Sequence, residues 1–465
     1  MRKSGELFSK IDWPLFISFL LLIILGMATI YSVAYNEEEP NLFAFSEKYG
    51  KQLLWLGISA FAGILIFLID STIYRKVAEL VYIVVIIMLV VVLFMSPING
   101  ARAWIGIGSL GIQPAEFAKI STALLLSKYI SGLAVKFQTT KSVLLACLIF
   151  LVPSILVALQ PDAGTLIVFS SFLFVMYREG LTFDPIILRL VNSIPGFKFK
   201  ATWFGSHFIP VLFGFLLLCT LTLAFSNHNF QVWFLPNQPI RGVNGILLIL
   251  FVLTLVMLIL AWFFSIKRDR FKVLLVISLV FIITSGIALS VDAAFSGLAR
   301  HQKDRIELVL GLKEDPDGKD YNRNRAMAAV GSGGAFGKGY KEASLSSLKT
   351  NHVPESETDF IFCPFAEEWG FVGSFTLVFI YLFMIIRIIL IAERQRVSFN
   401  RIYAYCVAMI LLYHFSINIG MNIGFAPVIG IPLPFFSYGG SSILSFSIMI
   451  IILLKLDSQR KDEFN

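Results

Sequence analysis

The sequence predicts an all-α polytopic integral membrane protein, a helical bundle of about twelve spans with one long loop outside the membrane. Three observations predict it. Of the 465 residues, 57% are hydrophobic, and the mean hydropathy is +0.80. Apolar runs near or above the ~20 residues needed to cross a bilayer recur from end to end. These runs lack the two-residue alternation of barrel strands, which excludes a β-barrel.

Spans are expected near 12–35, 52–70, 76–96, 114–132, 142–160, 163–178, 206–226, 244–265, 273–295, 359–392, 402–424 and 435–455. The stretch 163–178 is short, and 114–132 and 359–392 carry charges, so these are not plain lipid-facing helices. The first apolar run is too long for a signal peptide and has no small-residue cleavage site after it, so it is expected to be a retained span. The formal net charge is +8, and its placement points to membrane orientation, not to nucleic acid. With a cytoplasmic N-terminus, the inner segments hold Arg2, Lys3, Lys10, Arg75, Lys76, Lys128, Lys136 and Lys141. Further inner groups are Arg178 to Lys200, Lys267 to Lys272, Arg387 to Arg401 and Lys455 to Lys461. The short outer loops hold only Lys48, Lys51, Arg102 and Arg241, and an even number of spans returns the C-terminus to the cytoplasm. The polar segment 297–357 then lies outside, away from cytoplasmic ATP and nucleotide sugars.

Cys147, Cys219, Cys363 and Cys406 lie in or beside apolar runs with no CxxC pair, so they read as small core residues. Gly106–Gly111 matches GxGxxG but follows a membrane span, not the strand of a βαβ unit. GSGGAFGKG is not a Walker A loop, because Ser332 stands where its first Gly belongs and Gly339 where Ser or Thr should follow the Lys.

A charge near the bilayer core costs at least roughly 2.5–3.5 kcal/mol, so each one calls for a reason. Glu116 and Lys119 are three apart on one face of a helix that starts at Pro114, and they can pair, either as a structural ion pair or as a functional one. Asp162 follows Gln160–Pro161 at the outer mouth of a span, where capping a helix is the alternative to a functional role. Glu367 and Glu368 lie two to three turns inside a span starting near Thr358. Being adjacent, they point to different sides, and at least one is expected to face a wet cavity or a cation. Asp359 reads as a helix-start residue. His414, Asn418 and Asn422 recur every four residues and suit hydrogen bonding between helices, and Phe435–Ser442 (FFSYGGSS) suits close packing.

The long loop is chemically different. Glu314, Asp315 and Asp317 cluster beside Pro316 and Gly318, with Arg300, Lys303 and Arg305 before them and Arg323, Arg325, Lys338 and Lys341 after. A carboxylate among cations suits an anionic, phosphate-bearing substrate: the carboxylate serves as base, and cations hold the leaving phosphate. A solvated charged loop is the bland alternative.

At these residues the sequence resembles the SEDS family (shape, elongation, division, sporulation). The matching strings are GARAWIGIG and IQPAEFAK (Gly100–Lys119), LQPDAGT (Leu159–Thr165), HQKDRI (His301–Ile306) and EDPDGKDY (Glu314–Tyr321). They continue with GSGGAFGKGY (Gly331–Tyr340), VPESETDFIFCPFAEEWGFVG (Val353–Gly373) and NIGMNIGFAPVIGIPLPFFSYGGSS (Asn418–Ser442). PVIGIPLPF and FGKG look like the elongation branch more than the division branch. The resemblance implies one SEDS membrane domain over 1–465 and a catalytic outer loop over 297–357; relatives have about ten spans, so 180–272, with two more near 206–226 and 244–265, departs from them as a lineage-specific insertion. It implies a peptidoglycan glycosyltransferase polymerising lipid II on the outer face of the inner membrane, for cell-wall elongation and rod shape. Asp315 would be the catalytic base, with Arg102, Lys119, Arg305 and Lys338 as cations for the leaving pyrophosphate. Glu116, Lys119 and Asp162 would line the central cavity, and Glu367 and Glu368 match the family's paired glutamates. The resemblance admits a divalent cation, Mg or Mn, with Asp315 as a candidate ligand, and no organic cofactor. It implies a class B penicillin-binding protein (the transpeptidase) as partner, with other elongation-complex proteins such as MreC and MreD. Departures from the family pattern are Arg325–Ala326, Glu357, Ala163 and Trp369.

Two other readings compete. A lipid II flippase suits buried charges but predicts inverted repeats, and no such internal symmetry is visible. A non-catalytic scaffold predicts that Asp315 is dispensable.

Overall fold

The computed structural model describes residues 11–35, 45, 47–95, 102–106, 111–133, 139–160, 162, 163–181, 183–193, 207–225, 229–232, 235–267, 270–297, 303, 307, 319–347, 352–426 and 428–460. The chain divides into two compact units, Met1–Gly205 with Tyr321–Asn465, and Ser206–Asp320.

The larger unit begins with α1 (Trp13–Val33), α2 (Lys48–Leu68), α3 (Ser71–Val92), α4 (Pro114–Ser131) and α5 (Thr140–Ala158). It continues with α6 (Ala163–Phe169), α7 (Ser171–Arg178) and α8 (Asp184–Asn192). Local chemistry sets the starts. Asp12 accepts from the Leu15 N–H at 3.1 Å and Pro14 opens α1. Asp70 accepts from the Thr72 N–H at 3.0 Å, and Thr139 and Ser142 form a capping box on α5. After α12 (Lys319–Ser332) come α13 (Phe362–Arg394), α14 (Ser398–Asn422) and α15 (Gly440–Ser458). α4 is mostly buried, and α14 and α15 are largely enclosed, with 67% and 83% of their most apolar stretches buried. They pack on each other and on α4, while α13 leans on α1 and α14, and α2 on α15. Close approach needs glycine at two of these crossings. A Cβ on Gly26 would lie 2.6 Å from the Phe436 carbonyl oxygen, and one on Gly440 would lie 2.1 Å from the Trp55 indole.

At one end of this unit an ion network joins three helices. Asp12 takes Arg387 at 3.0 and 2.8 Å and Arg394 at 2.7 Å. Arg394 also reaches Asp457, which receives Arg460 at 2.8 Å and the Gln395 amide at 2.8 Å.

The smaller unit holds α9 (Phe208–Phe225), β1 (Asn229–Val232), β2 (Leu235–Arg241), α10 (Gly242–Phe264) and α11 (Arg270–Gly297). β1 and β2 form an antiparallel hairpin, Asn229 opposite Arg241 and Val232 opposite Leu235. Among the described residues the β pairing is this hairpin and, in the larger unit, an isolated antiparallel bridge between Ile105 and Ile112. α10 and α11 lie side by side, with Phe251 and Phe281 edge to face at 6.1 Å.

Each of the twelve expected spans carries helix. By length and composition alone, eight helices among the described residues are long and apolar enough to cross a membrane; 163–178 and Pro210–Phe225 are shorter apolar helices.

Candidate functional site

A column of polar groups enters the larger unit from the end opposite the Asp12 network. At its mouth, Asp162 caps α6: it accepts from the Thr165 N–H at 2.9 Å and the Thr165 hydroxyl at 2.9 Å. The Gln113 amide just before α4 donates to the same carboxylate at 3.2 Å. The Gln113 N–H donates to the Ser441 hydroxyl, which donates to the Gly111 carbonyl. One turn deeper, Glu116 accepts from the Ser445 hydroxyl at 3.0 Å and from Lys119 at 2.9 Å.

Lys119 is fully buried, and its ammonium lies 2.8 Å from His414 Nε2 and 4.7 Å from the Phe446 ring centroid. An ammonium has three protons and no lone pair. His414 Nε2 is therefore the acceptor, and the ring proton sits on Nδ1, which donates to the Pro432 carbonyl at 3.2 Å. Glu116, Lys119, His414 and Ser445 thus form a closed cluster joining α4, α14 and α15. The rest of the α14 stripe grips backbone: Asn418 donates to the Asp359 and Ile431 carbonyls at 2.9 and 2.6 Å, and Asn422 donates to the Asn418 carbonyl.

Asp359 stands at the mouth, in the turn before α13. Burial, then the Glu355, Asp162 and Glu357 carboxylates around it, push its carboxyl up to about 7. A raised acid holds its proton better in the folded state, so its contribution favours folding at low pH and is lost as pH rises from about 4 through about 7. Wild type should therefore lose about 1–3 kcal/mol relative to Asp359→Asn between pH 5 and pH 8. Melting both proteins in detergent at the two pH values checks this; parallel pH profiles would refute it.

Glu367 and Glu368 lie where α13 is broken. Gly370 has φ 63° and ψ −160°, which interrupts the helical hydrogen bonds. The glycine-rich run after α12 replaces them. The Lys338 and Gly339 N–H groups donate to the Glu367 and Glu368 carbonyls at 3.0 Å each. The Phe371 and Val372 N–H groups donate to the Gly334 and Ala335 carbonyls at 2.9 and 3.1 Å. The Glu367 carboxylate is fully buried. It receives the Lys338 ammonium at 2.6 Å, the Ser344, Leu345 and Ser346 N–H groups at 2.9, 3.0 and 3.0 Å, and both serine hydroxyls. Glu368 receives the Ser32 hydroxyl and, at 3.1 Å, the Lys341 N–H.

Arg102 is exposed and donates to the Leu93 carbonyl at the end of α3, at 3.1 Å. Asp315, Arg305, Glu314 and Asp317 lie outside the described residues. The structure therefore gathers Glu116, Lys119 and Asp162 along one column and Lys338, Glu367 and Glu368 at the α13 break. Sequence reasoning missed His414 as the partner of Lys119; its polar spacing was visible, but its partner lies 295 residues away. Two of the departures acquire local roles. Arg325 stacks on Tyr321 at 3.4 Å and donates to the His352 carbonyl at 2.7 Å, and Glu357 pairs with Lys48.

A family model for the cell cycle proteins FtsW, RodA and SpoVE matches residues 12–202 and 244–462. The chain belongs to the FtsW/RodA/SpoVE family. A family member from Treponema pallidum, peptidoglycan glycosyltransferase RodA, is 29% identical, covering 99% of this chain and 100% of its own length. Peptidoglycan glycosyltransferase MrdB of Escherichia coli K12 is 28% identical over 95% of this chain and 93% of its own. Stage V sporulation protein E of Bacillus subtilis is 27% identical over 96% of each. Among solved structures, a chain from a peptidoglycan synthase complex that coordinates polymerization and crosslinking superposes with TM-score 0.65. It is 22% identical and covers 97% of this chain and 98% of that one. Thermus thermophilus rod shape determining protein RodA gives 0.54 at 21% identity, with the same coverage. These likenesses establish the fold of a multi-pass membrane protein of the FtsW/RodA/SpoVE family.

Proposed function

We propose that this protein is a peptidoglycan glycosyltransferase that polymerises lipid II into glycan strands for cell-wall elongation and rod shape. The observation that carries the reading is the near full-length match to relatives named for that activity, within a family model spanning both ends of the bundle. The closed Glu116–Lys119–His414 cluster favours it over a flippase: a polar path for a sugar–phosphate headgroup needs buried charges with free valences, and these satisfy one another.

In the proposed reaction, Asp315 takes the proton of the acceptor sugar 4-hydroxyl while that oxygen attacks the donor anomeric carbon. The bond from that carbon to the pyrophosphate oxygen breaks, the configuration inverts, and undecaprenyl pyrophosphate departs with the electron pair. Arg102 and Arg305 are the cations for the pyrophosphate. Lys119 and Lys338 contribute through the field of their clusters, since their ammonium groups already face Glu116 and Glu367. Among the described residues no group of three or more His, Cys, Asp or Glu could hold a metal ion. In the loop, Asp315 would be a ligand for Mg or Mn, whose charge would help neutralise the leaving pyrophosphate.

The membrane is the inner membrane, with N- and C-termini cytoplasmic and the loop 297–357 outside. The partner is a class B penicillin-binding protein, with MreC and MreD in the same complex. The segment 180–272 is read as a lineage-specific insertion with two extra spans; the family model leaves only 203–243 of it unmatched, the part that holds α9 and the hairpin, and matches the rest, almost all of α10 included.

Asp315→Ala should lower glycan polymerisation from lipid II in detergent by about 10²–10⁴-fold, with the partner transpeptidase present. Equal polymer from a folded Asp315→Ala protein would move the base elsewhere, with Asp317 next.

A further inference from the structure

The run from Gly333 to Ser346 is pinned on both sides of an exposed aromatic residue. Gly337, just after Phe336, donates its N–H to the Gly333 carbonyl at 2.9 Å, and the carbonyls of Gly334 and Ala335, just before it, accept from α13. Farther on, Glu367 binds residues 344–346 and Tyr340 donates its hydroxyl to the Ala28 carbonyl of α1 at 3.0 Å. Two of the glycines admit no side chain: a Cβ on Gly333 would lie 2.1 Å from the Ala366 carbonyl oxygen, and one on Gly337 2.0 Å from that of Glu368. Between them Phe336 is 84% exposed. Phe336 is not exposed singly: Trp369, Phe371 and Val372, at the α13 turn whose backbone bonds this run, are exposed too, and a group of exposed apolar side chains marks a contact with another apolar phase.

The depth of the Phe336 ring follows from α13. From Phe371 the helix runs about 24 Å to Arg387 and about 35 Å to Arg394, its two members of the ion network, at ~1.5 Å per residue, which brackets the thickness of a bilayer core. A bilayer core is about 30 Å thick, so Phe371 stands at the far interface when the charged network stands at the near one. Other residues agree with that level. Trp369 and Phe371 are exposed beside the strap. Tyr31, Tyr35 and Tyr340 surround Lys341, whose ammonium lies 3.7 Å from the Tyr35 ring centroid. Tyr and Trp gather at the headgroup level of membranes, and a lysine there meets lipid phosphate.

We propose that residues 333–346 form a rigid strap that seats Phe336 among the acyl chains at the membrane interface, with Glu367 as its anchor on α13. The strap follows α12 directly, so it holds the end of the long loop at the surface where a lipid-linked substrate presents its headgroup. The proposal concerns lipid contact and stands whether or not the chain is a polymerase.

A nitroxide at Phe336→Cys tests it, in a Cys219→Ser background, since Cys147, Cys363 and Cys406 are buried. The protein is reconstituted in vesicles of phosphatidylethanolamine and phosphatidylglycerol. Collision rates with oxygen and with a water-soluble nickel chelate are compared with labels at Phe375, on the exposed face of α13, and at Glu342, exposed in the strap. The Phe336 label should match Phe375: oxygen-accessible, with nickel collisions lost. A nickel collision rate nearer that of the Glu342 label overturns the proposal. Adding Glu367→Gln should free the label's motion and admit nickel; an unchanged spectrum would remove Glu367 as the anchor.

Discussion

Lys119→Met should destabilise the protein by about 3–5 kcal/mol, because it leaves the Glu116 carboxylate buried with its charge unmatched. Methionine keeps most of the aliphatic stem while removing the ammonium that faces Glu116 and the Phe446 ring, so the loss is electrostatic and not a cavity. Glu116 would retain the Ser445 hydroxyl at 3.0 Å as its partner in the cluster, and His414 Nε2 would lose its donor. The matched double variant, Glu116→Gln with Lys119→Met, removes both charges and should recover most of the loss. A double-mutant cycle read by denaturation in detergent then gives a coupling energy of the same order as the single loss. A double variant no better than Lys119→Met would mean that packing around the lysine stem, not charge, carries the effect. Because the cluster joins three helices, the single variant should also lower the yield of folded protein in the membrane.

The second large effect belongs to Gly337. Its φ is +82°, and an added Cβ would lie 2.0 Å from the Glu368 carbonyl oxygen and 2.4 Å from its carbon. Both are backbone atoms of α13 and cannot swing aside. Gly337→Ala should therefore cost roughly 3–5 kcal/mol, left-handed strain together with overpacking. Gly339 gives the control. Its φ is +112°, but the nearest atom to an added Cβ is the flexible Glu342 side chain at 3.5 Å. Gly339→Ala should carry the strain alone, about 1–3 kcal/mol. Measured melting shifts that rank the two the other way would show that the strap does not press on the α13 break.

Much of the bundle was legible because hydrocarbon thickness imposes a length on apolar runs, and a run of the right length folds as helix wherever it lies. The three-residue spacing of Glu116 and Lys119 likewise foretold their pairing, and Asp162 before an apolar run foretold a cap. The stretch 359–392 read as one unbroken span, since hydropathy is blind to the left-handed φ of Gly370. The glycines at 333, 337 and 370 were the available signal for that break, but glycine alone does not say which backbone will come close. At least one of Glu367 and Glu368 was expected to face a wet cavity or a cation, and Glu367 is that one. It does meet the Lys338 ammonium, and the three N–H groups that share it come from a loop about twenty residues back, a pairing that no local pattern encodes.

The ion network at Asp12 has a consequence for biosynthesis. Asp12 caps the first described helix, yet its partner Arg387 lies 375 residues later and Arg394 382 later, and Arg394 is itself held by Asp457 of α15. A ribosome delivers α1 to the bilayer long before any of these partners exists. Until then the Asp12 carboxylate has only water and the first turn of its own helix. The bundle therefore cannot close in order of synthesis: α1 must wait for α13 and α15 before this network forms. A polypeptide stopped short of Asp457 would leave Arg394 without one of its two carboxylates, so the completeness of α15 is read out at the opposite end of the chain.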